Sequence, residues 1–208
     1  MTGTGTGKGT EAAGGGTESP DGAAVLAFTG PAALEEWLER HHADSKGIWL
    51  KLAKKASGVE SVTIGEVHEA NLCFGWIDGQ RRAYDATYYL QKITPRRPRG
   101  TWSQVNVDKV EALRAAGRMR PSGLAEVEAA QADGRWAAAY APQATATVPP
   151  DLEEALSAAP AARRTFDALG KSDRYLVVLR LMTAKTGKTR AARLERMVAR
   201  LAAGEKVR

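Results

Sequence analysis

From Pro31 onward the hydrophobic residues recur at helical and strand periods in turn. Leu34, Trp37, Leu38 and His41 fall at i, i+3, i+4 and i+7, one face of a helix, and Pro31 suits its first position. Asp44, Ser45 and Gly47 end it. The run from Ile48 to Lys54 alternates, which predicts a strand with Ile48, Leu50 and Leu52 on one face. Thr63 and Glu66 have the spacing of a capping box, so a second helix starts there with Ile64, Val67 and Asn71 along one side. After Phe74-Gly75-Trp76-Ile77, the pair Asp78-Gly79 predicts a hairpin-type turn. Tyr84 to Ile93 reads as a strand, with Tyr88, Leu90 and Lys92 opposite Tyr89, Gln91 and Ile93.

Residues 94–103 break the pattern. Pro95 and Pro98 remove backbone donors and disfavour α conformation in the residues before them. Val107, Val110 and Leu113 then form a helical stripe that ends at Gly117, a C-terminal cap. Pro121 opens a further helix carrying Leu124 and Val127, which stops by Gly134. A Pro-rich boundary at 142–150 precedes four helices, at about 151–158, 161–169, 173–184 and 188–203. The last places Leu194, Met197, Val198 and Leu201 on one face. These elements predict an α+β fold: a small antiparallel sheet with helices in the N-terminal half, and a helical C-terminal unit. The expected organisation is a disordered tail over 1–22, an α+β domain with a basic loop over 23–141, and a helical unit over 148–204.

Composition adds bounds. The chain of 208 residues is 43% hydrophobic and 26% charged, which suits a folded core. The apolar segments are short and charge-bearing, well below the ~20 residues a spanning helix needs, so no membrane insertion is expected. Residues 1–22 contain eight glycines and no apolar leader, and Cys73 is the single cysteine. A cytoplasmic location is the expectation. The net charge is +6, and residues 81–120 hold ten Lys/Arg against three acids, a local +7 that favours anionic partners.

Several motifs fail on inspection. In GTGTGKGT, Lys8 is followed by Gly9 rather than Ser or Thr. Thr186-Gly187-Lys188-Thr189 lacks the earlier glycine of a phosphate loop, because that position is Met182. His41, His42 and His68 lack cysteine partners at ligand spacing, so no metal site is expected, and no motif implies a cofactor. Cys73 between Leu72 and Phe74 reads as a buried, inert thiol.

Two segments carry candidate chemistry. In a strand, Trp76 and Asp78 share a face. The turn-rich stretch after Thr94 gathers Arg96, Arg97, Trp102, Ser103 and Asn106. Arginine forks match phosphate and carboxylate, and tryptophan stacks on planar groups. The seven residues could line an anion pocket, with Asp78 orienting an arginine. The same residues also serve a plain structural reading, in which Asp78 makes the turn, the tryptophans fill core and the arginines neutralise local acids.

Taken in order, these strings resemble the YdeI/OmpD-associated (bacteriocin-protection) family: Trp49-Leu50 and Lys54-Lys55, Leu72 to Gly79, Thr94-Pro95-Arg96, Trp102-Ser103 and Asn106, Gly117-Arg118-Met119, Asp133 to Trp136, and Ala184-Lys185 with Thr189-Arg190 and Arg193. The resemblance runs from about residue 25 to 204. Gly100-Thr101 before Trp102, where a serine is expected, and Asn71, in a small apolar slot, depart from it. It implies no agreed catalytic residues. The expected function is binding of an anionic small molecule or a protein partner. The alternative is nucleic-acid binding by the basic 81–120 region and the last helix, where Arg193, Arg196 and Arg200 lie off the apolar stripe. A third reading is an enzyme using Asp78, Arg96 and Ser103.

Overall fold

The computed structural model describes residues 19–205. The expected tail therefore lies outside the described residues up to position 18. The chain divides into two compact units. Among the described residues, the first comprises 19–100 and 109–133, and the second 101–108 and 134–205.

The first unit is built on a four-stranded sheet, β1 (Val25–Leu26), β2 (Ile48–Ala53), β3 (Trp76–Ala83) and β4 (Tyr88–Pro95), in the order β1-β2-β4-β3. The pairs β2–β4 and β3–β4 are antiparallel as expected, while the two-residue β1 adds a parallel edge beside Trp49 and Leu50. Helices α1 (Pro31–His41), α2 (Ile64–Cys73) and α4 (Pro121–Ala132) accompany it. α2 packs on β3, and α1 and α4 pack on α2.

Local chemistry explains these elements. The capping box is present, with Glu66 Oε2 accepting from Thr63 N–H (2.8 Å) and Thr63 Oγ1 from Glu66 N–H (3.3 Å). Ile48, Leu50 and Leu52 are buried on one face of β2 as expected, but Trp49 on the other face is buried too, and Val67, Trp76 and Ile93 add to the core. Each such side chain contributes about 2 kcal/mol of burial.

Two expectations need correction. Asp78-Gly79 is not the hairpin turn. Both lie inside β3, where the pairing register slips between Asp78 and Arg81. The reversal comes at 84–87 because the Asp85 carboxylate accepts from the backbone N–H of Thr87 (2.8 Å) and Tyr88 (2.6 Å). The irregular loop also starts later than expected, since Thr94 and Pro95 still pair with Ile77 and Trp76 at the strand end.

The second unit is helical: α5 (Pro150–Ala158), α6 (Pro160–Ala168), α7 (Lys171–Met182) and α8 (Gly187–Ala202). α3 (Gln104–Ala115) crosses the unit boundary in sequence at Asp108. Leu152, Leu156, Phe166, Val177, Leu181 and Leu201 form the buried centre, and Leu194 and Val198 pack against it. Met197 and Leu201 are the fully buried members of the stripe expected on the last helix. Thr186 caps α8, its Oγ1 accepting from Thr189 N–H at 3.0 Å.

Gly123 on α4 packs tightly against the end of α2. A Cβ on Gly123 would stand 2.2 Å from the Cys73 carbonyl oxygen. Gly123→Ala should therefore destabilise the protein by about 1–3 kcal/mol through overpacking. The neighbouring Ser122 Oγ is buried with no hydrogen-bond partner among the described residues. Ser122→Ala should leave stability unchanged or raise it. Urea unfolding of both variants checks the pair.

Candidate functional site

The seven expected site residues divide between the units. Trp76, Asp78, Arg96 and Arg97 lie in the first, and Trp102, Ser103 and Asn106 in the second. Trp76 is 1% exposed. Its indole N–H donates to the His42 carbonyl (3.2 Å) and its ring meets Trp37 edge-on at 5.9 Å. It therefore has no face left for a ligand. Asp78 meets His68 Nε2 on α2 at 3.2 Å, both side chains being partly exposed. Burial pushes the Asp78 carboxyl up, but the hydrogen bond and charge of His68, with the charge of Arg96, outweigh it and hold Asp78 below its ordinary range. Arg96 is itself buried, and its backbone N–H donates to Gly75 O at 3.0 Å. Arg97 is exposed.

In the second unit Trp102 is buried against Trp136, with ring centroids 4.9 Å apart. Ser103 pairs with Tyr140 in a short parallel bridge. Its Oγ accepts from Asn106 N–H (3.2 Å), which caps the start of α3. The structure thus joins Ser103 to Asn106 and sets Asp78 beside His68, within the influence of Arg96. The partner of Asp78 escaped the sequence reading because His68 lies ten residues away on another element. Cys73 is buried, and burial pushes its thiol up, away from the reactive thiolate.

Much of the basic excess in 81–120 has structural partners. Arg118 bridges Glu35 (2.9 Å) and Glu69 (2.5 Å), Arg120 meets Glu39 at 3.6 Å, and Lys92 meets Asp21 at 2.9 Å. The hydrogen bonds of Lys92 and Trp49 hold the Asp21 carboxyl at about 2.

A different cluster emerges in the second unit. A cleft of about 380 Å³ is lined by Arg180, Thr183, Arg193, Arg196, Met197 and Arg200. Arg180 comes from the last turn of α7, Thr183 follows that helix, and the rest project from α8. Arg193 is held in place, one terminal amino group donating to Arg180 O (2.6 Å) and Thr183 Oγ1 (3.4 Å). Arg196 uses only its Nε, donating to Ala192 O at 3.1 Å. The Arg200 Nε donates to Glu205 at 3.0 Å. Among the described residues the Arg180 guanidinium has no hydrogen-bond or ion-pair partner. Among the described residues no carboxylate lines the cleft.

The same unit pairs two other arginines closely. Arg163 joins Glu153 and Asp167. Arg190 makes a fork to Asp151, with both bonds at 2.7 Å, and a third bond to Leu181 O at 2.9 Å. Arg180 and Arg196 in the cleft thus contrast with Arg163 and Arg190, whose guanidinium groups meet carboxylates. The sequence showed three of the cleft arginines off the apolar face of the last helix. It gave no sign of Arg180, because the contact depends on how α7 packs on α8.

Fold and site together define a two-unit α+β protein whose helical C-terminal unit carries an arginine-lined cleft. Among the described residues no helix is long and apolar enough to cross a membrane. Residues 145–204 match the family model described as Bacteriocin-protection, YdeI or OmpD-Associated, so the resemblance to that family holds at family level on this segment. Residues 26–126 match a second model, a domain of unknown function (DUF8412). The strings from Leu72 to Gly79 and from Thr94 to Asn106 fall in this second match. No curated protein and no solved structure matches the chain.

The Arg190 fork holds Asp151 below the ordinary carboxylate range, against the opposing effect of burial. A depressed folded value stabilises above the unfolded carboxylate range and ceases to do so as pH falls through the folded value. Asp151→Asn should destabilise the C-terminal unit by about 1 kcal/mol at neutral pH, since the pair is partly exposed. The difference from wild type should vanish in acid, which urea unfolding across pH checks.

Proposed function

We propose that this protein binds an anionic ligand in the arginine-lined cleft of its C-terminal unit. The carrying observation is that Arg180 and Arg196 stand beside a cleft that, among the described residues, no carboxylate lines, in a unit that pairs Arg163 and Arg190. A guanidinium presents its donors in a planar fork, which suits phosphate and carboxylate oxygens. Arg193, held by backbone and hydroxyl oxygens, supplies a fixed wall. Met197 gives the cleft an apolar floor. The expected site around Asp78 and Arg96 is less favoured, because Asp78 already has His68 beside it and Trp76 lacks an exposed face.

A second reading, nucleic-acid binding, draws on the hairpin of the first unit. There the Lys51 ammonium lies over the rings of Tyr84 (4.8 Å) and Tyr88 (4.5 Å), and Arg81 stacks on Tyr89 (4.3 Å). Basic and aromatic groups interleaved in this way suit single strands. These rings are already occupied by the protein's own cations, so the cleft remains the better-supported site.

Thermal unfolding with citrate, tripolyphosphate or ATP, at matched ionic strength, tests the proposal. A ligand at about 100 times its Kd stabilises by about 2.7 kcal/mol, a rise of roughly 5–10 °C. The Arg180→Ala/Arg196→Ala variant should keep the unliganded Tm, because both side chains are exposed, and should lose the rise. An equal rise in the variant, or none with any anion in the wild type, contradicts the proposal.

A further inference from the structure

We infer that the ligand of this cleft is an organic diphosphate, an inference that rests on the anion-binding reading above. Charge is the first argument. Four guanidinium groups line the cleft, and Glu205 offsets one of them at Arg200. A phosphate monoester carries about −1.5 to −2 at neutral pH and leaves the remaining positive charge unmatched. Two linked phosphates match it.

Reach is the second argument. Arg193, Arg196 and Arg200 follow one another on α8 at spacings of three and four residues. At a rise of about 1.5 Å per residue, the first and last stand roughly 10 Å apart along the helix axis. One tetrahedral phosphate presents its oxygens to one or two forks. Two in series let Arg180 and Arg193 hold one group while Arg196 and Arg200 hold the other. All the guanidinium N–H groups of Arg180, and both terminal amino groups of Arg196, are uncommitted among the described residues.

Size and floor are the third argument. A volume of about 380 Å³ exceeds what two phosphates fill and lies in the range of about 300–1,000 Å³ typical of small-molecule sites. Met197, mostly buried, lines the cleft with an apolar, polarisable edge against which the organic portion can rest. A long polyanion fits less well, because the Glu205 carboxylate stands beside Arg200 at one end of the row.

Isothermal titration of the full chain in physiological salt tests this with two matched pairs of probes: inorganic phosphate against pyrophosphate, and AMP against ADP. Within each pair the diphosphate should bind at least tenfold tighter, and ADP should bind tighter than pyrophosphate. Arg180→Ala and Arg196→Ala should each weaken ADP at least tenfold with an unchanged circular dichroism spectrum. Arg196→Lys should fail to restore it, because a point charge lacks the fork. Equal affinity within both pairs overturns the diphosphate inference, while the anion-binding reading survives if citrate or tripolyphosphate still stabilises the wild type. If no anion acts on the wild type, both fail. A single-stranded oligonucleotide that binds more tightly than ADP, with affinity falling steeply in salt, overturns the diphosphate inference in favour of a nucleic-acid surface.

Discussion

The Arg190 guanidinium ties three helices of the C-terminal unit together. From the first turns of α8 it forks onto Asp151 on α5 and reaches the Leu181 carbonyl near the end of α7. A planar donor group shared among three acceptors fixes direction as well as distance. α8 is thereby held at a set rotation, with Met197 and Leu201 turned into the core. The same rotation aims Arg193, Arg196 and Arg200 at the end of α7, where Arg180 waits. The cleft follows from how α8 is pinned and from which faces of α7 and α8 carry arginine.

The distribution of partners gives the charge its meaning. A net charge of +6 describes solubility and general attraction to anions, and says little about a site. Pairing says more. In the first unit, Arg118, Arg120 and Lys92 meet carboxylates, and Arg81 and Lys51 lie on tyrosine rings. In the second, Arg163 and Arg190 meet carboxylates. Arg180 and Arg196 are left facing a concave surface. Exposed arginines keep their water at little penalty, so these two are positioned for an incoming anion without strain on the fold.

The elements were legible where local chemistry decides them. The capping box at Thr63, the proline starts at Pro31 and Pro121, and the apolar stripe of the last helix all stand where the pattern puts them. The hairpin turn is not legible from composition, because Asp78-Gly79 has the residues of a turn while Asp85 has the geometry. The carboxylate of Asp85 closes on two backbone N–H groups, whereas Gly79 lies in β3 where the pairing register shifts. The site was legible in part. The last helix shows its basic face in sequence, but Arg180 on α7, and His68 beside Asp78, join their clusters only through tertiary packing. Asn71 also stands out. It is buried, with neither side-chain polar atom hydrogen-bonded among the described residues, and the structure offers no physical account of it.

The central claim is that anions enter at the α7–α8 cleft. Its most direct measurement is the arginine Nε–Hε spectrum of the full chain during titration with pyrophosphate, with signals assigned by single substitutions. The account predicts that Arg180, Arg193, Arg196 and Arg200 shift together and saturate, while Arg163 and Arg190, already held by carboxylates, stay in place. Shifts spread evenly over all arginines, or concentrated at Arg81, Arg82 and Arg96, would contradict it.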